Sequence, residues 1–109
     1  MQPLLEKLKS IRCVICDVDG VLTDGRLYID SHNNDMKAFH VHDGMGLKLL
    51  MSAGIDVAII TTSQTQNIDL RMQQLGIVHY FKGQVNKLKA FEEIKSRLQL
   101  NNNEIAYVG

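Results

Sequence analysis

The stretch DVDG at 17–20, with Asp24 close behind, places two carboxylates two positions apart directly after the apolar run CVIC. On extended backbone, side chains at i and i+2 face the same way. Asp17 and Asp19 therefore repel unless a cation offsets them. Mg²⁺ suits oxygen donors of this kind and keeps water and a substrate phosphate in its shell. A carboxylate is also a nucleophile toward phosphorus, and an aspartyl-phosphate divides one hard step into two. Thr61 closes the apolar run DVAII and Lys87 follows GQVN. A hydroxyl and an ammonium are what the equatorial oxygens of a transferring phosphoryl group need. Gly20 is expected to turn the backbone sharply and aim amide N–H groups at the anion. Taken singly, these residues have plainer readings: a solvated turn for the aspartates, a common strand-terminal threonine, a surface lysine opening a helix. Asp24 reads as shaping the loop that follows more than as a metal ligand.

Such residues need elements that bring them together. Continuous apolar runs at IRCVICD, DVAIITT, IVHYF and EIAYVG read as short buried strands. Between them, helical spacing recurs: Leu47, Leu50 and Met51 before Gly54; Ile68, Met72 and Leu75 before Gly76; Leu88, Phe91, Ile94 and Leu98 in the last such segment. A first helix is expected over QPLLEKLKS. Alternating strands and helices predict an α/β fold with a doubly wound parallel sheet. One segment, about 26–42, breaks the rhythm: RLYI and MKAFHVH flank the turn-forming DSHNND and predict a β-hairpin. In such sheets ligands bind beyond the carboxyl ends of the strands, where Asp17, Asp19, Thr61 and Lys87 would all converge.

DVDGVLTDG resembles the first motif of the haloacid dehalogenase-like phosphatases, IITT the second and NKLKAF the third. The hairpin, FHVHDGMGLKLL, GQVNK and IAYVG extend the likeness to the small capless subgroup typified by 3-deoxy-D-manno-octulosonate 8-phosphate phosphatases. The resemblance implies one hydrolase domain over 1–109 with the hairpin insertion and no cap domain. It implies Asp17 as nucleophile and magnesium ligand, and Asp19 as general acid and base with its backbone carbonyl on the metal. Thr61, Lys87 and Gly20 would hold the phosphoryl group. The substrate it implies is 3-deoxy-D-manno-octulosonate 8-phosphate or a related sugar phosphate of lipopolysaccharide synthesis, and the assembly a homotetramer built through the hairpins. Thr62 and Ser63 stand where the family usually has Gly-Arg, and His40-Val41-His42 where it often has Asn-Val-Arg. Thr62, His42, Asp43 and Gly44 are then the candidates for substrate contact, although Asp43 and Gly44 also read as a helix cap and first turn. The family's acidic pair after the AYVG strand would lie past Gly109, so the chain is expected to be truncated at its C-terminus.

Bulk properties narrow the alternatives. Of 109 residues, 12 are Lys or Arg and 12 are Asp or Glu, so no net field steers the chain to nucleic acid or an anionic membrane. Apolar runs are far shorter than a membrane span, and the charged N-terminal segment is no secretory signal, which predicts a cytoplasmic protein. Cys13 and Cys16 form C-x-x-C, but on a strand their sulfurs fall on opposite faces, which predicts two buried thiols and no redox or zinc pair. His40 and His42 are read as a strand pair serving the hairpin or an interface. Two other function classes share these features: a non-catalytic assembly module, and a phosphorylatable receiver-like domain, which the D-x-D spacing disfavours.

Overall fold

The computed structural model describes residues 9–32, 35–64 and 66–109. The helix expected over QPLLEKLKS falls almost wholly on residues 1–8, outside the described residues. Four strands form a parallel sheet: β1 (Cys13–Cys16), β4 (Asp56–Ile60), β5 (His79–Phe81) and β6 (Ile105–Val108). Two short strands, β2 (Tyr28–Ile29) and β3 (Asp35–Met36), pair antiparallel as the predicted hairpin. Three helices connect the sheet: α1 (Val41–Ser52), α2 (Gln66–Leu75) and α3 (Lys87–Leu98).

The order β5-β4-β1-β6 makes the winding reverse beside β1. Successive residues of β1 therefore feed two separate cores. Cys16 and Val18 pack with Leu47 of α1 and with Ile68, Met72 and Leu75 of α2. Cys13 and Ile15 pack on the opposite face with Ala90 and Ile94 of α3. The two thiols lie on opposite faces, as strand alternation requires. Ile15, Ile59, Ile60, Ile68 and Ile94 are fully enclosed, each contributing on the order of 1.5–3 kcal/mol by burial. Leu88 departs from expectation and is exposed, because Ala90 and Ile94 set the inward face of α3.

The extended segment after β3 ends sooner than the sequence suggests. A bridge joins Thr23 to Phe39, and His40 then caps α1, its ring nitrogen Nδ1 accepting the His42 N–H at 3.0 Å. His42 is thus helical and not the second histidine of a strand pair; the two rings lie 4.8 Å apart around a helix start. A side-chain acceptor two residues ahead of a free amide stabilises a helix N-terminus much as Asp or Asn would. Among the described residues no helix is long and apolar enough to cross a membrane.

Candidate active site

Asp17 follows β1 at the point where the winding reverses, its N–H donating to the Val108 carbonyl of β6 at 3.0 Å. Its side chain is half-buried and both oxygens are occupied. One accepts the Val18 N–H at 2.7 Å, and the other accepts Lys87 Nζ at 2.9 Å. Lys87 is the first residue of α3, which Asn86 caps by accepting the Lys89 N–H. The hydrogen bond to Asp17 raises the Lys87 ammonium above its ordinary range, against burial, with Tyr107 adding to the rise. The positive end of α3 also favours negative charge here.

Asp19 has a different lysine. Lys37, just after β3, donates from Nζ to Asp19 Oδ1 at 2.5 Å. The crowding of carboxylates is thus offset in this structure by two ammonium groups, one for each aspartate. Asp24 turns away to shape the hairpin entry, accepting the Arg26 N–H at 2.9 Å and the Tyr28 hydroxyl at 3.0 Å. The Arg26 amide is the main cause holding the Asp24 carboxyl below its ordinary range.

Gly20 has φ +79°, the left-handed conformation expected of a sharp turn. Its amide donates to Thr23 Oγ1 at 3.3 Å. Thr23 is the buried hub of the loop, accepting from Gly25 N–H as well, at 3.2 Å. No sequence signal separated it from its neighbours.

Parallel register sets Cys16 opposite Ile59, so Thr61 stands near the level of Asp17 on the adjacent strand end. It is fully buried, its Oγ1 accepting the Ser63 N–H at 3.2 Å, and no hydrogen bond joins it to Asp17 or Lys87 among the described residues. Thr61 and Phe81 are tied through backbone, as are Gln84 and Thr61, so hydrogen bonds join the loops after β4 and β5. Thr62 is exposed beside it. Asp43 is in the first turn of α1, as is Gly44. Gly44 faces inward: a Cβ there would stand 2.4 Å from Arg71 Nη2 and 2.9 Å from Leu75 Cδ2, so its smallness serves the packing of α1 on α2. On the hairpin side a cleft of about 340 Å³ is lined by Leu22, Thr23, Asp24, Phe39, His40 and Asp43. Asp17, Asp19 and Lys87 lie on an open sheet edge outside that cleft.

The Asp17 carboxylate at this edge is a hard oxygen donor, the type that fits Mg²⁺ with the rest of its shell drawn from water and phosphate. No group of three or more His, Cys, Asp or Glu side chains is gathered for a metal among the described residues.

No protein-family model matches the sequence. The chain is homologous to the haloacid dehalogenase-like phosphatases and has their fold. A protein described as a HAD superfamily (subfamily III A) hydrolase from Legionella pneumophila superposes with TM-score 0.97 at 63% identity, over 100% of this chain and 60% of that one.

Within that class, the similarity is to the 3-deoxy-D-manno-octulosonate 8-phosphate phosphatases. The enzyme of Yersinia pestis is 41% identical over 106 residues, 97% of this chain and 57% of the relative. The Moraxella catarrhalis enzyme, solved with magnesium, phosphate and 3-deoxy-D-manno-octulosonate, has TM-score 0.94 at 38% identity, over 100% of this chain and 63% of that one. The chain thus spans between half and two thirds of the length of these relatives.

Proposed function

We propose that the chain is a Mg²⁺-dependent phosphomonoesterase that hydrolyses 3-deoxy-D-manno-octulosonate 8-phosphate or a related sugar phosphate through an aspartyl-phosphate. The observation that carries this reading is the Lys87–Asp17 pair, a carboxylate and an ammonium meeting at the switch point of a parallel sheet. Asp17 is the nucleophile: an oxygen of its carboxylate attacks phosphorus as the ester bond breaks. Asp19 protonates the departing alkoxide, then takes a proton from the water that cleaves the aspartyl-phosphate, returning Asp17 to its carboxylate. Lys87 is positioned to hold phosphoryl oxygens beside Asp17, and Thr61 to donate its hydroxyl proton, since Oγ1 already accepts from Ser63. Gly20, which lets the loop turn, is proposed to bring backbone toward the phosphoryl group. The Asp17 carboxylate and the Asp19 carbonyl would hold Mg²⁺, which would supply charge stabilisation for the transferring group. Thr62, His42 and Asp43 are the proposed substrate contacts, and Gly44 packs behind them.

We place the molecule in the cytoplasm, in keeping with its two free buried thiols, and in a homotetramer. Leu27, Ile29 and Met36 of the hairpin are each more than half exposed, an apolar surface suited to a second copy. A hydrolase domain with the hairpin insertion and no cap domain is proposed on the likeness to these phosphatases.

The test is phosphate release from the octulosonate phosphate and a panel of sugar phosphates, with Mg²⁺ and with chelator. Metal-dependent release selective for sugar-acid phosphates supports the reading. No release under either condition favours the assembly module.

A further inference from the structure

Lys37 is the least expected charged residue of the molecule. Its side chain is 6% exposed, against 43% for the Asp19 side chain it meets. Enclosing an ammonium costs several kcal/mol unless it is paired. The hairpin accordingly commits this lysine to Asp19 Oδ1, and this hydrogen bond is the one found on that carboxylate among the described residues. Asp17, by contrast, is held by Lys87 and by the Val18 amide. Without Lys37 the Asp19 side chain, on an exposed loop, is free to exchange among its staggered rotamers.

We propose that Lys37 is a positioning residue that holds the Asp19 carboxylate where it activates water, which makes the hairpin part of the catalytic apparatus. The inference rests on the phosphatase reading. The contact fixes Asp19 Oδ1 by a hydrogen bond from the hairpin side. The half-reaction it serves is the second: water oxygen bonds to phosphorus, the bond to Asp17 breaks, and the water proton passes to Asp19. Misplacing such a group by an ångström costs on the order of 100-fold.

The experiment is pre-steady-state hydrolysis of p-nitrophenyl phosphate by the Lys37→Met chain with Mg²⁺. Nitrophenolate departs without a proton, so the first turnover does not need Asp19. The expected result is a first-turnover release within about 3-fold of the unsubstituted chain and a steady rate lowered roughly 10- to 100-fold. KM should not rise, phosphoenzyme should accumulate, and Lys37→Arg should recover part of the loss. An unchanged steady rate overturns the proposal. So does a raised KM at unchanged kcat, which would make Lys37 a substrate-binding group, or equal loss of both phases, which would make it structural. A second arm needs no turnover: the ¹⁵N-resolved Lys37 ammonium signal should shift on Asp19→Asn, and an unmoved signal overturns the pairing itself. A shifted signal in a chain that neither releases nitrophenolate nor becomes phosphorylated instead removes the phosphatase reading, and this role with it.

Discussion

Lys87 Nζ reaches Asp17 Oδ2 at 2.9 Å although the two residues stand 70 positions apart in the chain. The β1 strand and the start of α3 have no local reason to meet; the parallel sheet brings them to one edge. Replacing Lys87 by Met removes the cation facing both the nucleophile and an incoming phosphoryl group. We predict a fall in kcat of roughly 10²–10³-fold, the usual cost of one lost transition-state donor. Steady-state kinetics with a circular dichroism check of the fold measures it. Lys87→Arg should restore only part, since a planar fork does not replace a point charge.

The same pair makes a prediction about alkaline stability. Lys87 is raised in the folded chain, chiefly by its hydrogen bond to Asp17. A raised value means the stabilisation is complete below the unfolded lysine's 10.5 and disappears as pH climbs through the folded value. Urea midpoints measured from pH 9 upward should therefore fall more steeply above that point for the parent than for Lys87→Met.

Acid stability has a different source. Asp69 is lowered first by Lys82, whose Nζ it accepts at 2.6 Å, and then by the Tyr80 hydroxyl at 2.8 Å. A lowered carboxyl stabilises above its unfolded value of 3.8, and the contribution is lost as pH falls through the folded value. Asp69→Asn should flatten the midpoint profile below pH ~4.

Thr23 Oγ1 receives the amides of Gly20 and Gly25 while only 8% exposed. Thr23→Val keeps the shape and deletes the acceptor. The expected loss is about 1–3 kcal/mol in urea unfolding, with unchanged m-value. A shift under about 0.5 kcal/mol would show that water satisfies both amides.

Burial pushes the Cys13 thiol up to about 11, and Cys16 is raised by the same cause. Thiolate is the reactive form. Native chain at pH 8 should resist iodoacetamide at both positions, whereas chain in urea should be alkylated at both, as peptide masses will show.

Much of this arrangement was legible in the sequence, because strand and helix periodicities are local. The run CVIC, the stops at Gly54 and Gly76, and the turn residues of the hairpin each carry their own signal. The convergence of Asp17 and Lys87 on one edge followed once the sheet was inferred, whereas their direct ion pair did not. What escaped depends on long-range packing. Lys37 in MKAF carries no signal of its own and stands out only where the hairpin folds over the loop and encloses it. Thr23 is one hydroxyl among several until the loop closes on it. His42 followed Phe39 and Val41 in an apparently extended run, and only the ring of His40 acting as a cap makes that run end. At Gly44 the close approach of Arg71 and Leu75 leaves no room for a Cβ, a packing demand that only the folded pair of helices reveals.

The central claim is that Asp17 carries the phosphoryl group. Chain mixed with Mg²⁺ and substrate, quenched in acid and reduced with borohydride, converts an aspartyl-phosphate to homoserine. Peptide mass analysis should find homoserine at position 17 in the parent and nowhere in Asp17→Asn, which should also release no phosphate. Phosphate release at the parental rate by Asp17→Asn, or homoserine at a different aspartate, would contradict the account.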